Sequence, residues 1–100
     1  MSTVAVNLVF SALADRTRRH VLERLAVSGA ASASTLAREL PVSRQAIVKH
    51  MSVLEGAGLV SRKRNGREIV FNAEAHQLAA TARWMQRMAE RWDPVVTDFG

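Results

Sequence analysis

No cysteine occurs among the 100 residues of this chain. That absence excludes disulfides, thiolate metal sites and thiol redox sensing together, and it fits a cytosolic protein. Long hydrophobic runs are missing as well. The longest, Leu8 to Ala14, is interrupted by Ser11 and falls far short of the ~18–20 residues that cross a bilayer. No Lys or Arg precedes Arg16, so the basic start of a secretory signal is absent. Acidic residues are few: 9 Asp and Glu stand against 14 Lys and Arg, a formal net charge of +5. Such an excess favours a polyanionic partner such as nucleic acid and leaves the fold open. Nucleophile elbow, Walker loop, dinucleotide fingerprint and His-rich metal signature are all lacking, so no catalysis is expected. The expectation is a cytoplasmic protein with no membrane partner, no cofactor and no metal.

What is present suffices for one core, since 48% of the residues are hydrophobic. No repeat or linker divides the chain, which reads as one domain over 1–100. A domain this small buries only part of its apolar surface alone, so a partner subunit is expected. A short apolar helix over 4–13 carries Val4, Val6, Leu8, Val9, Phe10 and Leu13. Asp15 can cap a second helix over 16–27, with Val21, Leu22 and Leu25 at helical spacing and Gly29 just past its end. Ser32 can cap a third, which Pro41 stops. Ser43 follows at once and can cap a fourth, running from Arg44 to Gly56. Two helices joined by so tight a turn form a helix-turn-helix unit, here 32–57.

The period changes over 59–72. Val60–Arg64 and Arg67–Phe71 flank Asn65-Gly66, a dipeptide suited to a type I′ hairpin turn. Pairing across that turn sets Arg62 opposite Ile69 and Val60 opposite Phe71, with Val60, Ile69 and Phe71 facing inward. A last helix over 74–92, capped by Asn72 and ended by Asp93-Pro94, carries Leu78, Thr81, Met85, Met88 and Trp92 at alternating three- and four-residue steps. That narrow stripe suits packing on another helix, and its Leu78, Met85, Met88 and Trp92 mark the expected dimer interface. The tail to Gly100 can begin a further short helix. The fold expected is mainly α with a β-hairpin wing: four helices, the hairpin and a fifth helix, in a dimer.

Projected at 100° per residue, the fourth helix turns Ile47, Met51 and Leu54 to the core. Arg44, Gln45, Val48, Lys49 and Ser52 fall on the other side, where the single acid is Glu55. Arg bonds guanine bidentately, Gln bonds adenine, and Val contacts the thymine methyl. Ser43 at the helix start suits a phosphate, and His50, flanking the core face, can turn one edge to another. Arg62, Lys63, Arg64 and Arg67 crowd the hairpin tip, where a wing can lie along the backbone or enter the minor groove. The bland readings are a solvated helix face and a charged edge strand. A winged helix used only for docking another protein is the alternative function, but such a module has no need of both basic features together.

Three stretches together resemble the ArsR family. They are Phe10-Ser-Ala-Leu-Ala-Asp-Arg-Thr-Arg-Arg19, Leu40-Pro-Val-Ser-Arg-Gln-Ala-Ile-Val-Lys-His50, and Leu54-Glu-Gly-Ala-Gly-Leu-Val60 before the basic hairpin. The resemblance covers 8–92. It implies a winged helix-turn-helix homodimer joined through its first and last helices, with Leu8 in the interface, repressing transcription at a palindromic operator. On that pattern Arg44, Gln45, Val48 and Lys49 face the groove, and Ser43 and His50 meet phosphates. The family's metal sensors carry a Cys-x-Cys pair where this chain has Arg38-Glu-Leu-Pro-Val-Ser43, or Asp and His ligands on the last helix. Here that helix offers Glu74, His76 and Glu90, with Arg87 where a second-arm His is needed. Trp84 and Trp92-Asp93 resemble a branch that senses no metal, and no inducer follows from the resemblance.

Overall fold

In the computed structural model, residues 3–92 are described, and Thr3 only as backbone. Five helices surround a small sheet: α1 (Thr3–Leu13), α2 (Arg16–Ser28), β1 (Ala31–Ser32), α3 (Ala33–Glu39), α4 (Arg44–Gly56), β2 (Val60–Asn65), β3 (Glu68–Ala73) and α5 (His76–Arg91). The expected short helix in the tail, and the stop at Asp93-Pro94, lie outside the described residues.

Local side chains set the first helix boundaries. Asp15, Ser32 and Ser43 each accept a hydrogen bond from the backbone N–H three residues on, so each starts its helix by occupying a free donor. The α1 C-terminus is closed from outside: Arg18 donates from Nε to the Ala12 carbonyl at 2.7 Å and from Nη2 to Ser11 at 3.1 Å. A cation there also meets the negative end of the helix dipole. Gly29 ends α2 at φ +86°, its N–H bonding the Leu25 carbonyl.

The sheet has the order β1-β3-β2 and is antiparallel throughout. β1 was not expected; at two residues it is too short to carry a periodic signal, and it pairs Ala31 with Phe71 and Ser32 with Val70. The hairpin register also differs from the expectation. Asn65 pairs with Glu68, Arg64 with Ile69 and Arg62 with Phe71, so the two-residue loop is Gly66-Arg67. Gly66 holds φ +65° and among the described residues no non-glycine has positive φ, which is the pattern of a type II′ turn and not of type I′. Sliding the pairing by two residues preserves which side chains share a face. It moves Ile69 out towards the tip, however, where it is 40% exposed instead of packing inward with Val60 and Phe71.

The same register corrects the start of α5. Val60 pairs with Ala73, and the Glu74 N–H bonds the Leu59 carbonyl, so the chain stays extended past Asn72. Asn72 is a strand residue opposite Ser61, and α5 begins after Ala75 with no side-chain cap.

The core joins all the elements before α5. Val9 and Ala12 of α1 meet Val21 and Leu25 of α2, Leu36 of α3, the α4 row Ile47, Met51 and Leu54, and Leu59, Val60 and Phe71 from the start of the hairpin. Because α4 and the hairpin base share that core, the exposed face of the helix and the wing are held in fixed relation. α5 lies against α1, where Phe10 and Trp84 meet edge-on with ring centroids 5.8 Å apart. Its stripe is divided. Thr81 turns inward and donates to the Gln77 carbonyl, Met88 is half-buried, and Leu78, Met85 and Trp92 stand exposed. Leu8 and Val4 of α1 are exposed as well, so this end of the molecule carries an uncovered apolar surface. No described helix is long and apolar enough to cross a membrane.

Candidate nucleic-acid interface

The outer face of α4 follows from the burial of its inner one. Ile47, Met51 and Leu54 are fully buried, which fixes the helix rotation and leaves Arg44, Gln45, Val48, Lys49 and Ser52 exposed. Ser43 sits at the head of this face. Its Oγ accepts from the Ala46 N–H at 3.1 Å, which leaves its own O–H available to donate outward. His50 is half-buried; the Asp15 carboxyl is held below its ordinary value chiefly by the backbone hydrogen bond from Arg18, with a smaller contribution from His50.

Sequence reasoning did not foresee Ser34. The Arg44 Nε donates to Ser34 Oγ at 3.1 Å, so the first arginine of the helix is steadied from α3. Its Nη groups have no intrachain partner among the described residues. A serine inside a short helix gives no sign of this; the contact depends on the angle between the two helices.

The wing carries its cations in two settings. Lys63, Arg64 and Arg67 are exposed, with no intrachain partner among the described residues. Arg62, nearer the base, is engaged: its Nε and Nη2 donate to the Glu55 carboxylate at 2.8 to 3.1 Å, and its guanidinium lies 5.4 Å from the Phe71 ring centre. The hydrogen bonds from Arg62 to Glu55 hold its pKa above the ordinary arginine value. Glu55, read from the sequence as the stray acid of the α4 face, is therefore the residue that ties α4 to β2.

Helix face and wing meet across one cleft. It is lined by Ser34, Arg44 and Val48 on one side and Arg62, Arg67 and Phe71 on the other. A donor-rich helix and a basic hairpin thus border the same concavity. Positive charge beside an exposed helix face rich in hydrogen-bond donors is the kind of surface that favours nucleic acid. Among the described residues no group of three or more His, Cys, Asp or Glu side chains is placed to hold a metal ion.

The fold and this surface define the class, a winged helix-turn-helix transcriptional regulator. Comparison with known proteins agrees. Residues 13–62 match a family described as a helix-turn-helix domain. The chain is 39% identical over 90 residues to the HTH-type transcriptional regulator Rv2034 of Mycobacterium tuberculosis, covering 90% of this chain and 80% of that protein. It is 30% identical over 88 residues to the transcriptional repressor SdpR of Bacillus subtilis, covering 88% and 97%. Among solved structures, an ArsR-like transcriptional regulator from Rhodococcus superposes with a TM-score of 0.83 at 42% identity, over 96% of this chain and 90% of that one. The homodimeric winged helix-turn-helix domain of Mb0332 from Mycobacterium bovis shares the fold at a TM-score of 0.70 and 21% identity, over 89% and 82%. The chain belongs to the ArsR family of transcriptional regulators.

Proposed function

We propose that this protein is a homodimeric repressor that binds a palindromic operator with the α4 face and the wing. The observation that carries the reading is the shared cleft, because Arg44 and Val48 of α4 border it together with Arg62 and Arg67 of the wing. Arg44, Gln45, Val48 and Lys49 read base edges in the major groove; Ser43 and His50 donate to phosphates. Lys63, Arg64 and Arg67 follow the backbone or the adjacent minor groove, while Arg62 holds the wing in place. The name repressor for SdpR supports the direction of regulation. The homodimer of Mb0332 and the exposed Leu8, Leu78, Met85 and Trp92 support a two-fold assembly through α1 and α5, with half-buried Met88 at its edge. The domain then divides its work among the helix-turn-helix over 32–57, the wing over 59–72 and the dimerisation helices over 4–13 and 74–92. Acting on chromosomal promoters places the protein in the cytoplasm.

Gel mobility shift on the DNA upstream of the protein's own gene tests the reading. We expect a discrete complex whose affinity falls steeply as salt rises, because phosphate contacts release counterions. A competing unrelated fragment should displace the protein only at large excess. Equal, salt-insensitive binding to every fragment, or none, would favour the protein-docking module instead.

A further inference from the structure

The cleft between α4 and the wing reaches deeper than its exposed rim. It encloses about 350 Å³, which falls in the roughly 300–1,000 Å³ range of small-molecule sites. Its lining includes Ser32, Ala33 and Phe71, all buried, so these form the floor. Val48 and Ile69 add exposed apolar walls, and Arg44, Arg67 and Glu68 stand at the rim. Arg62, also in the lining, is already matched by Glu55 and lies against Phe71. Arg44 and Arg67 are not matched in this way: no carboxylate pairs with either among the described residues.

We propose that this cleft binds a small organic anion with a single negative charge and a flat apolar body, such as an aromatic carboxylate, and that its occupancy excludes DNA. The second half rests on the DNA-binding reading above. The carboxylate sits between the Arg44 and Arg67 guanidiniums, where charge-assisted bonds are strongest, with the Ser34 hydroxyl as a further donor. The ring packs on Phe71 between Val48 and Ile69. Glu68 at the rim repels a second negative charge, which selects monoanions. Arg44, Val48 and Arg67 then serve both the ligand and the operator. The two compete, and each weakens the other by the same factor.

The test uses 2-naphthoate as probe and 2-naphthalenemethanol as its uncharged counterpart, added to the full-length ¹⁵N-labelled protein. We expect saturable shifts of the Ser34, Val48, Ile69 and Phe71 amides with naphthoate, weaker ones with the alcohol, and binding about tenfold weaker in Arg67→Ala. Naphthoate should also release the DNA complex in proportion to cleft occupancy. Equal binding of acid and alcohol, or shifts confined to the apolar surface of α1 and α5, overturns the site. A saturated cleft with an undisturbed DNA complex overturns the competition. Failure to bind DNA without any naphthoate counts instead against the DNA-binding reading, and the amide shifts then judge the cleft alone.

Discussion

Arg62 of β2 grips Glu55 of α4 through both Nε and Nη2, so the base of the wing is tied to the last turn of α4. The pair is partly exposed, with side-chain accessibilities of 41% and 36%, and isolated surface pairs contribute little. Fork geometry and the Phe71 ring beneath raise it above a chance contact. In a double-mutant cycle of Glu55→Gln and Arg62→Gln, urea unfolding should give a coupling of about 0.5–1 kcal/mol. Either single change should speed amide exchange in β2 and β3 while leaving α2 unaffected. A coupling indistinguishable from zero would mean that the fork does not hold the wing.

Residues that read bases and residues that position the backbone should separate by experiment. Arg44→Ala and Gln45→Ala remove donors from the exposed α4 face, so each should relax preference at particular base pairs by roughly 1–3 kcal/mol. Arg64→Ala, at the wing tip, should weaken binding to all sequences alike and lower the salt slope by about one. Selection of bound fragments followed by salt titration distinguishes the two kinds. If all three variants changed specificity and salt slope together, the division proposed here would fail.

Gly58 follows α4 at φ +74°, a conformation that costs L-residues about 1–2 kcal/mol. A Cβ added there would stand 2.8 Å from the Gln77 Cγ of α5, so the side chain opposite must also move. Gly58→Ala should therefore lower unfolding stability by more than the conformational cost alone. In a Gln77→Ala background part of that loss should disappear, because the colliding atom is gone. Equal losses in both backgrounds would leave only the backbone contribution.

Two carboxylates link stability to pH. The backbone hydrogen bond from Arg18 holds Asp15 below its ordinary 3.8, and the side-chain bonds from Arg24 hold Glu39 below its ordinary 4.5. Both pKa values are lower folded than unfolded. The stability they contribute is therefore complete above the ordinary values and is lost as pH falls through the lower, folded ones. Melting curves taken from about pH 6 down to about pH 3 should fall less steeply for Asp15→Asn with Glu39→Gln than for the parent. Asn still accepts the Arg18 N–H, so the cap survives while its titration is removed. An unchanged acid slope would assign the loss to other groups.

The starts of α2, α3 and α4 were legible because they depend on neighbours in sequence: Asp15, Ser32 and Ser43 each bond a backbone group three residues away, whereas α5 has no such cap and its start was misplaced at Asn72. The α4 face was legible for a similar reason, since Ile47, Met51 and Leu54 repeat at the helical period. The hairpin was half-legible. A glycine at its turn fits either type I′ or type II′, and only the pairing of Asn65 with Glu68 decides which. Where tertiary angles decide, the sequence is silent: Ser34 on Arg44 and Glu55 on Arg62 depend on how α3, α4 and β2 meet. The α5 stripe likewise gave no sign that Thr81 would turn inward while Leu78 and Met85 faced out.

That outward face gives the last prediction. Met85 and Trp92 are 47% and 60% exposed in the single chain, so a charge at Met85 disturbs little within it. If α5 meets its copy there, Met85→Lys buries two ammonium groups in an apolar interface, at a cost that splits the dimer. Sedimentation should then give the monomer at micromolar concentration, with circular dichroism unchanged. DNA affinity should fall in step, because one recognition helix reaches only one half-site. A two-fold dimer sets its recognition helices about 34–36 Å apart, one helical turn of DNA. Inserting about half a turn between the half-sites should therefore weaken the parent protein and leave the monomeric variant nearly unaffected. A Met85→Lys protein that stays dimeric and binds as the parent does would place the interface elsewhere.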